Sequence, residues 1–132
     1  MIALDTNVLV RFLVRDDEHQ ASRARNLVEN CRATGDTCLV SNPVLCELEW
    51  VLESVYRASR SEIAASVRML LTTPPFRLED AELLERAIHM YAKGKGDLSD
   101  YILGEIAGAR GARTTYTFDR DLRNTEGFTL LQ

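Results

Sequence analysis

Apolar residues recur along this chain with two different periods, and the alternation between those periods outlines the fold. Met1 to Leu4 is a short apolar run that stops at Asp5. From Asn7 to Val14 the apolar positions fall at helical spacing. Residues 17–32 continue as a helix with Ala21, Ala24, Leu27, Val28 and Cys31 on one face. Gly35-Asp36 marks a turn, after which Thr37 to Val40 has strand composition. Ser41-Asn42-Pro43 reads as a helix start, a capping polar residue followed by proline at the first helical position. Val44, Leu45, Leu48, Val51, Leu52 and Val55 then form one stripe. Ser59 and Glu62 make a capping-box pair for a further helix with Ile63, Val67, Leu70 and Leu71 inward. Thr73-Pro74-Pro75 breaks it, and Phe76 to Leu78 is a short strand.

The remainder repeats the alternation. Asp80 is placed to cap a helix bearing Ala81, Leu84, Ile88 and Tyr91, closed by Lys93 and Gly94. Asp97 begins another helix that runs to about Arg110 and ends at Gly111. Thr114 to Thr117 is β-prone, and Phe128 to Leu131 is a last strand after the loop at 124–127. Strands alternating with helices predict an α/β fold with a parallel sheet covered on both faces. In such sheets function gathers outside the carboxyl ends of the strands. Asp5 and Asp119 each follow a strand directly, so that edge is where a site belongs.

Composition narrows the class without choosing a function. A length of 132 residues with no linker, repeat or low-complexity tract predicts one domain spanning 1–132, large enough for a real core. The apolar and charged shares, 45% and 27%, are those of a globular protein in water. No apolar run approaches a membrane span, and Asp5 interrupts what would be a signal-peptide core, so a cytoplasmic location is expected. Cys31, Cys38 and Cys46 are odd in number and lack a CxxC spacing, which predicts buried free thiols and no zinc site. His19 and His89 are too separated for a metal cluster and are expected at the surface. The net charge of −4 argues against a broad basic surface for nucleic acid, but not against an acidic pocket that meets phosphate through a bound cation.

The acids carry the chemistry. Asp5, Glu47, the pair Asp97 and Asp100, and Asp119 are far apart in sequence and fall where an α/β fold would bring them to one edge. Carboxylates about 5 Å apart at an effective dielectric near 20 repel by about 3 kcal/mol per pair. A divalent cation among them removes that cost, and metal-dependent phosphodiester chemistry is the commonest reason for such a group. Each acid also has a plainer reading. Asp5 suits the cap of the first helix, Asp97 the cap of its own helix, and Asp100 the favourable first turn. Asp119 suits the cap of a turn at 120–123, with Asp121 paired to a neighbouring arginine. Glu47 and Glu49 lie at opposite borders of the same apolar stripe, and a helical wheel does not choose between them. Asp97 and Asp100, three residues apart, share one helical face and can reach a common ion.

Other conspicuous residues are assigned to packing. Trp50, Tyr101 and Phe118 are expected in the core in preference to stacking on bases. Gly104 and Gly108 are expected to permit close helix packing. Lys93-Gly94-Lys95-Gly96 is expected to be a solvated helix end, with contact to a phosphate backbone the second reading. Residues near Trp50, Val55 and Tyr56 suit either core or interface.

With those residues in place, the chain resembles the PIN domain family, and within it the VapC-type ribonuclease toxins. The match runs through Leu4-Asp5-Thr6-Asn7-Val8-Leu9, Glu47-Leu48-Glu49-Trp50-Val51-Leu52, Asp97-Leu98-Ser99-Asp100-Tyr101-Ile102 and Thr117-Phe118-Asp119-Arg120-Asp121-Leu122. The resemblance implies a three-layer α/β/α sandwich with a five-stranded parallel sheet. It further implies an acidic pocket for Mg²⁺ or Mn²⁺, endonuclease activity on RNA, a small antitoxin protein as partner, and a homodimer. It selects Glu47 over Glu49, which becomes a surface residue. It assigns Asp5, Glu47, Asp100 and Asp119 as the catalytic quartet, with Asp97 an additional acid at the rim. On that assignment Asp5 and Asp100 are the main metal ligands, and Asp119 and Asp97 bind directly or through water. Glu47 binds metal or orients the attacking water. Thr6, Asn7 and Thr117 support the carboxylates or the phosphate.

Rival chemistries fit less well. A phosphatase using Asp5 as nucleophile lacks the second aspartate of a DxD motif, because position 7 is Asn. A receiver-type domain lacks an acidic pair accompanying a central aspartate after a third strand. A non-catalytic PIN-like module for RNA or protein binding is the alternative of a different class, and the occupied acidic positions argue against it.

Overall fold

Short strands limit this chain's sheets to a few backbone ladders, so helices do most of the packing. A computed structural model describes all 132 residues and divides into two compact units, Met1–Ala81 and Glu82–Gln132. The first unit holds β1 (Ile2–Ala3), α1 (Thr6–Leu13), α2 (Glu18–Thr34), β2 (Cys38–Val40), α3 (Asn42–Ser54), α4 (Arg60–Thr72) and β3 (Phe76–Leu78). Its strands pair in parallel in the order β1-β2-β3, with Ile2 opposite Cys38 and Cys38 opposite Phe76. Because the strands are parallel, Asp5, Ser41 and Glu79 all leave the sheet at the same, carboxyl, edge.

The core of this unit comes from the periodic residues. Leu9 and Val10 of α1, Ala21, Ala24, Val28 and Cys31 of α2, and Leu45, Leu48 and Leu52 of α3 are buried with Ile63, Val67 and Leu70 of α4. Phe12 meets Phe76 edge to face, centroids 5.2 Å apart, which ties α1 to β3. The expected capping box forms at α4, and α2 has a cap at Asp17 that the sequence pattern did not single out. Asp17 accepts from the Gln20 amide at 3.0 Å, and Ser59 with Glu62 completes its capping box. Leu27 is more exposed than its place in the expected apolar face implied.

The second unit holds α5 (Ala81–Lys93, beginning at the unit boundary), α6 (Leu98–Ala109), β4 (Thr115–Thr117), a 3-10 turn (Arg120–Leu122) and β5 (Phe128–Leu130). β4 and β5 pair in parallel, Thr115 opposite Phe128. Leu84, Ala87, Ile88 and Tyr91 of α5 and Leu98, Tyr101 and Ile102 of α6 are buried. A Cβ at Gly104 would come within 2.7 Å of the Phe128 ring, so this glycine lets β5 close on α6. Gly108 faces open space, so only one of the two glycines has the expected packing role, and it admits an aromatic ring rather than a helix.

The α/β class, five strand positions and parallel pairing match expectation. The sheet does not: ladders join three strands and two strands separately, in place of one five-stranded ladder. Strand composition and direction are local properties, whereas the choice of neighbour depends on contacts distant in sequence, and strands of two or three residues carry few ladder bonds to reveal it.

Candidate active site

At the carboxyl edge of the first unit, β1 delivers Asp5. The Leu4 amide bonds the Leu39 carbonyl at 3.0 Å, which holds the strand in register up to the residue before Asp5. Asp5 has the extended backbone of a helix cap, and its carbonyl accepts from the Leu9 amide, yet its carboxylate makes no capping hydrogen bond. The plain capping role available from the sequence is therefore unused, and the carboxylate stands exposed. Thr6, the next residue, is buried, while Asn7 is exposed on the wall of a cleft of about 600 Å³ shared with Arg11, His19 and Arg23.

The other acids of this edge are engaged. The Asn42 amide donates to Glu79 Oε1 at 2.8 Å, and Asn42 Nδ2 donates to Asp80 Oδ2 at 3.0 Å. Glu79 and Asp80 thus bind the start of α3, and Asp80 serves Asn42 in addition to its place before α5.

On α3 the expected surface position of Glu49 is wrong. Glu49 is 4% exposed, whereas Glu47 is open to solvent. The buried arc runs through Leu45, Leu48, Glu49 and Leu52, turned away from Trp50 and Val55, which are 66% and 60% exposed. Apolar residues on both borders made the stripe look centred nearer Val51. The true arc is rotated toward Glu49, a position a carboxylate holds only with polar or charged partners. Trp50 is accordingly a surface residue and not a core one.

In the second unit, a loop anchored by one tyrosine sets the acids. Tyr101 is buried, and its hydroxyl accepts from the Gly96 amide at 3.1 Å. A Cβ at Gly96 would strike Leu122 at 2.5 Å, and one at Gly94 would overlap the Tyr101 hydroxyl. The glycines of Lys93-Gly94-Lys95-Gly96 therefore make room for that ring, a role apart from both readings of the sequence. Asp97 then caps α6, and the Asp97 amide donates to Asp100 Oδ2 at 3.0 Å.

Thr117 ends β4 and orients the adjoining turn: its Oγ1 accepts from the Asp119 amide at 3.0 Å. Asp119 Oδ1 in turn accepts from the Asp121 amide at 2.9 Å, which caps the 3-10 turn as expected. Leu122 is buried and pins the turn. Asp121 is not in an ion pair with an arginine; the salt bridges involve other residues.

The electrostatics bring these acids together. Burial pushes the Asp100 carboxyl above its ordinary value, and the charges of Asp97, Asp119 and Asp121 push it the same way, against the lowering effect of the hydrogen bond with the Asp97 backbone. Asp97, Asp100 and Asp119, all nominated from sequence, thus share one field. Asp121 belongs with them and was missed; its signal was the Asp119-Arg120-Asp121 spacing across one tight turn.

The PIN domain model matches residues 2–127, through both units. The chain belongs to the PIN domain family. A VapC ribonuclease of Aquifex aeolicus (strain VF5) is 28% identical over 120 residues, covering 91% of this chain and 88% of the relative. No solved structure matches the chain.

The donor chemistry of this PIN domain suits a hard divalent cation. Its acids offer carboxylate oxygens, the ligands Mg²⁺ and Mn²⁺ prefer, and a cation would offset the charges of Asp97, Asp119 and Asp121 that add to burial in raising the Asp100 carboxyl. Thiol and imidazole chemistry is placed elsewhere. Cys31 and Cys38 are buried, and burial beside Cys31 pushes the Cys38 thiol up to about 12. Cys46 is only half-buried, and His19 and His89 are exposed as expected. No helix is long and apolar enough to cross a membrane.

Proposed function

We propose that this PIN domain is a metal-dependent endoribonuclease, the toxin of a toxin–antitoxin pair, acting in the cytoplasm as one domain over 1–132. The observation that carries the reading is the setting of Asp100, a partly buried carboxyl raised first by burial and further by the charges of Asp97, Asp119 and Asp121, with no salt bridge to relieve it. A relative that is a VapC ribonuclease supports RNA as the substrate. By the same likeness a small antitoxin protein and a second copy of the chain are its partners.

Asp5, Glu47, Asp100 and Asp119 are the residues assigned to the reaction. Asp5, Asp97, Asp100 and Asp119 would hold Mg²⁺ or Mn²⁺, which supplies charge to the phosphoryl group and acidity to a water. Mg²⁺ ordinarily keeps several of its waters, so one or two of these carboxylates would suffice to hold it directly. Glu47, exposed on α3, orients the attacking water. The Thr117 hydroxyl fixes the backbone of Asp119, so the carboxylate needs no reorganisation when substrate arrives. Thr6 and Asn7 steady the chain that carries Asp5.

Incubation of the protein with RNA and Mg²⁺ or Mn²⁺ tests this directly. Cleavage is expected, with loss of activity in EDTA and in Asp5→Asn. Cleavage that persists in both overturns the proposal, and tight RNA binding without turnover supports a non-catalytic binding module in its place.

A further inference from the structure

The residue immediately before Asp119 is a phenylalanine in water. Phe118 is 74% exposed, and Tyr116, two residues earlier, is 64% exposed. An aromatic ring of that size is ordinarily buried, and Tyr101 in the same unit is. Thr115 and Thr117 alternate with them as half-buried residues, so the two rings leave the same side of the β4 run, about 6.6 Å apart along it. Each ring lies in a cavity with arginine. Phe118 shares about 400 Å³ with Arg120 and Arg123, and Tyr116 shares about 450 Å³ with Arg113. All three arginines are exposed and take part in no salt bridge. Asp119 of the proposed site lies at the end of this row.

We propose that β4 and Phe118, the residue that follows it, form a binding track for single-stranded RNA. Phe118 stacks the base beside the phosphate to be cut, Tyr116 stacks the next base, and Arg113, Arg120 and Arg123 hold backbone phosphates. The proposal rests on the ribonuclease reading and extends it to how substrate is held. Aromatic rings spaced by two along a strand present their faces to successive splayed bases, and any base offers a face to stack on. Arginines beside the rings supply local positive charge on a chain whose net charge is −4. The track therefore sets position along the strand more than sequence.

Steady-state cleavage of a short single-stranded RNA, with 2-aminopurine next to the cut, tests the track in the intact protein. Phe118→Leu is expected to lower kcat/KM about tenfold and abolish the quenching of 2-aminopurine on binding. Phe118→Trp restores both, which a merely apolar filler would not. Arg120→Ala is expected to reduce the slope of log affinity against log salt by about 0.7. Thermal melting of each variant at the wild-type temperature shows that folding is intact. If Phe118→Leu cleaves and quenches like wild type, the track is overturned and the ribonuclease stands. If instead it loses only the binding of a protein partner, the face serves that partner and the track is likewise overturned. A wild-type protein that neither binds nor cuts the RNA overturns both.

Discussion

Acids in the two units of this chain are treated in opposite ways. In the first unit most of them are neutralised or used. Asp16 accepts from the Tyr56 hydroxyl at 2.8 Å and pairs with Arg11 at 2.8 Å, Glu79 and Asp80 bind the start of α3, and Glu62 closes a capping box. In the second unit the charges of Asp97, Asp119 and Asp121 add to burial in raising the Asp100 carboxyl, and none of the four has a cationic partner among the salt bridges. The tie from Thr117 and the cap on the 3-10 turn fix the crowding in place when they could have relieved it. Asp5 is an exception in the first unit, a cap residue whose carboxylate caps nothing, and Glu47 is another, open to solvent. If the unpaired group is the proposed site, such a fold separates stability from function by charge.

The largest effect that would break this contrast is on cleavage. Asp5→Asn and Asp100→Asn are each expected to slow RNA hydrolysis by on the order of a hundredfold or more, since a ligand to the cation contributes several kcal/mol in the transition state. Asp16→Asn is expected to leave the rate within a few fold. Rates measured on one RNA under one Mn²⁺ concentration decide it, and equal losses at Asp16 and Asp100 would erase the distinction.

Cation binding comes next. Mg²⁺ or Mn²⁺ at about ten times its dissociation constant should stabilise the wild type by roughly 1.4 kcal/mol, seen as a higher Tm. Asp100→Asn should lose most of that rise. A melt insensitive to both ions in the wild type would count against a gathered acidic site.

Without metal, Asp100→Asn should itself stabilise the fold by about 1 kcal/mol, less than the pairwise repulsion of buried charges because the residue is half-exposed. The asparagine keeps an oxygen for the Asp97 amide and loses only the charge. The sign with pH comes from the raised carboxyl. The folded state holds the Asp100 proton above the ordinary value of 3.8, so wild-type stability is lost as pH rises through the raised range. The advantage of Asp100→Asn is therefore full at neutral pH and shrinks as pH falls toward 3.8. Denaturant melts in EDTA at several pH values measure it, and an advantage that grows on acidification would refute the cause.

How much of this was legible in the sequence divides along the same line. The strands, the capping box at Ser59 and acids at carboxyl edges all depend on residues close in sequence, and they are where the pattern put them. Glu47 and Glu49 could not be ranked, because both sit at stripe borders and burial is decided by what packs against α3. Trp50 and Phe118 were misplaced in the core for a related reason. Composition says that an aromatic ring prefers burial, but only the tertiary structure says whether a surface was kept for it. Asp121 was hidden by the ready explanation of a neighbouring arginine. Which strands pair was not legible, since two or three residues of strand carry no register of their own.

The smallest effect sharpens the comparison most, because its sign is opposite. The bond from Tyr56, then the charge of Arg11, hold the Asp16 carboxyl below its ordinary value. Its contribution is present above 3.8 and is lost as pH falls through the lowered value. Asp16→Asn should therefore lower Tm slightly at neutral pH, where Asp100→Asn raises it, and the loss should fade in acid. Asp16 lies at the surface, so high salt should shrink its effect too. The partly buried Asp100 should respond less to salt. Melts of both variants at neutral pH, in low and high salt, test the pair together. Two shifts of the same sign would mean that the acids of the two units do not differ in kind.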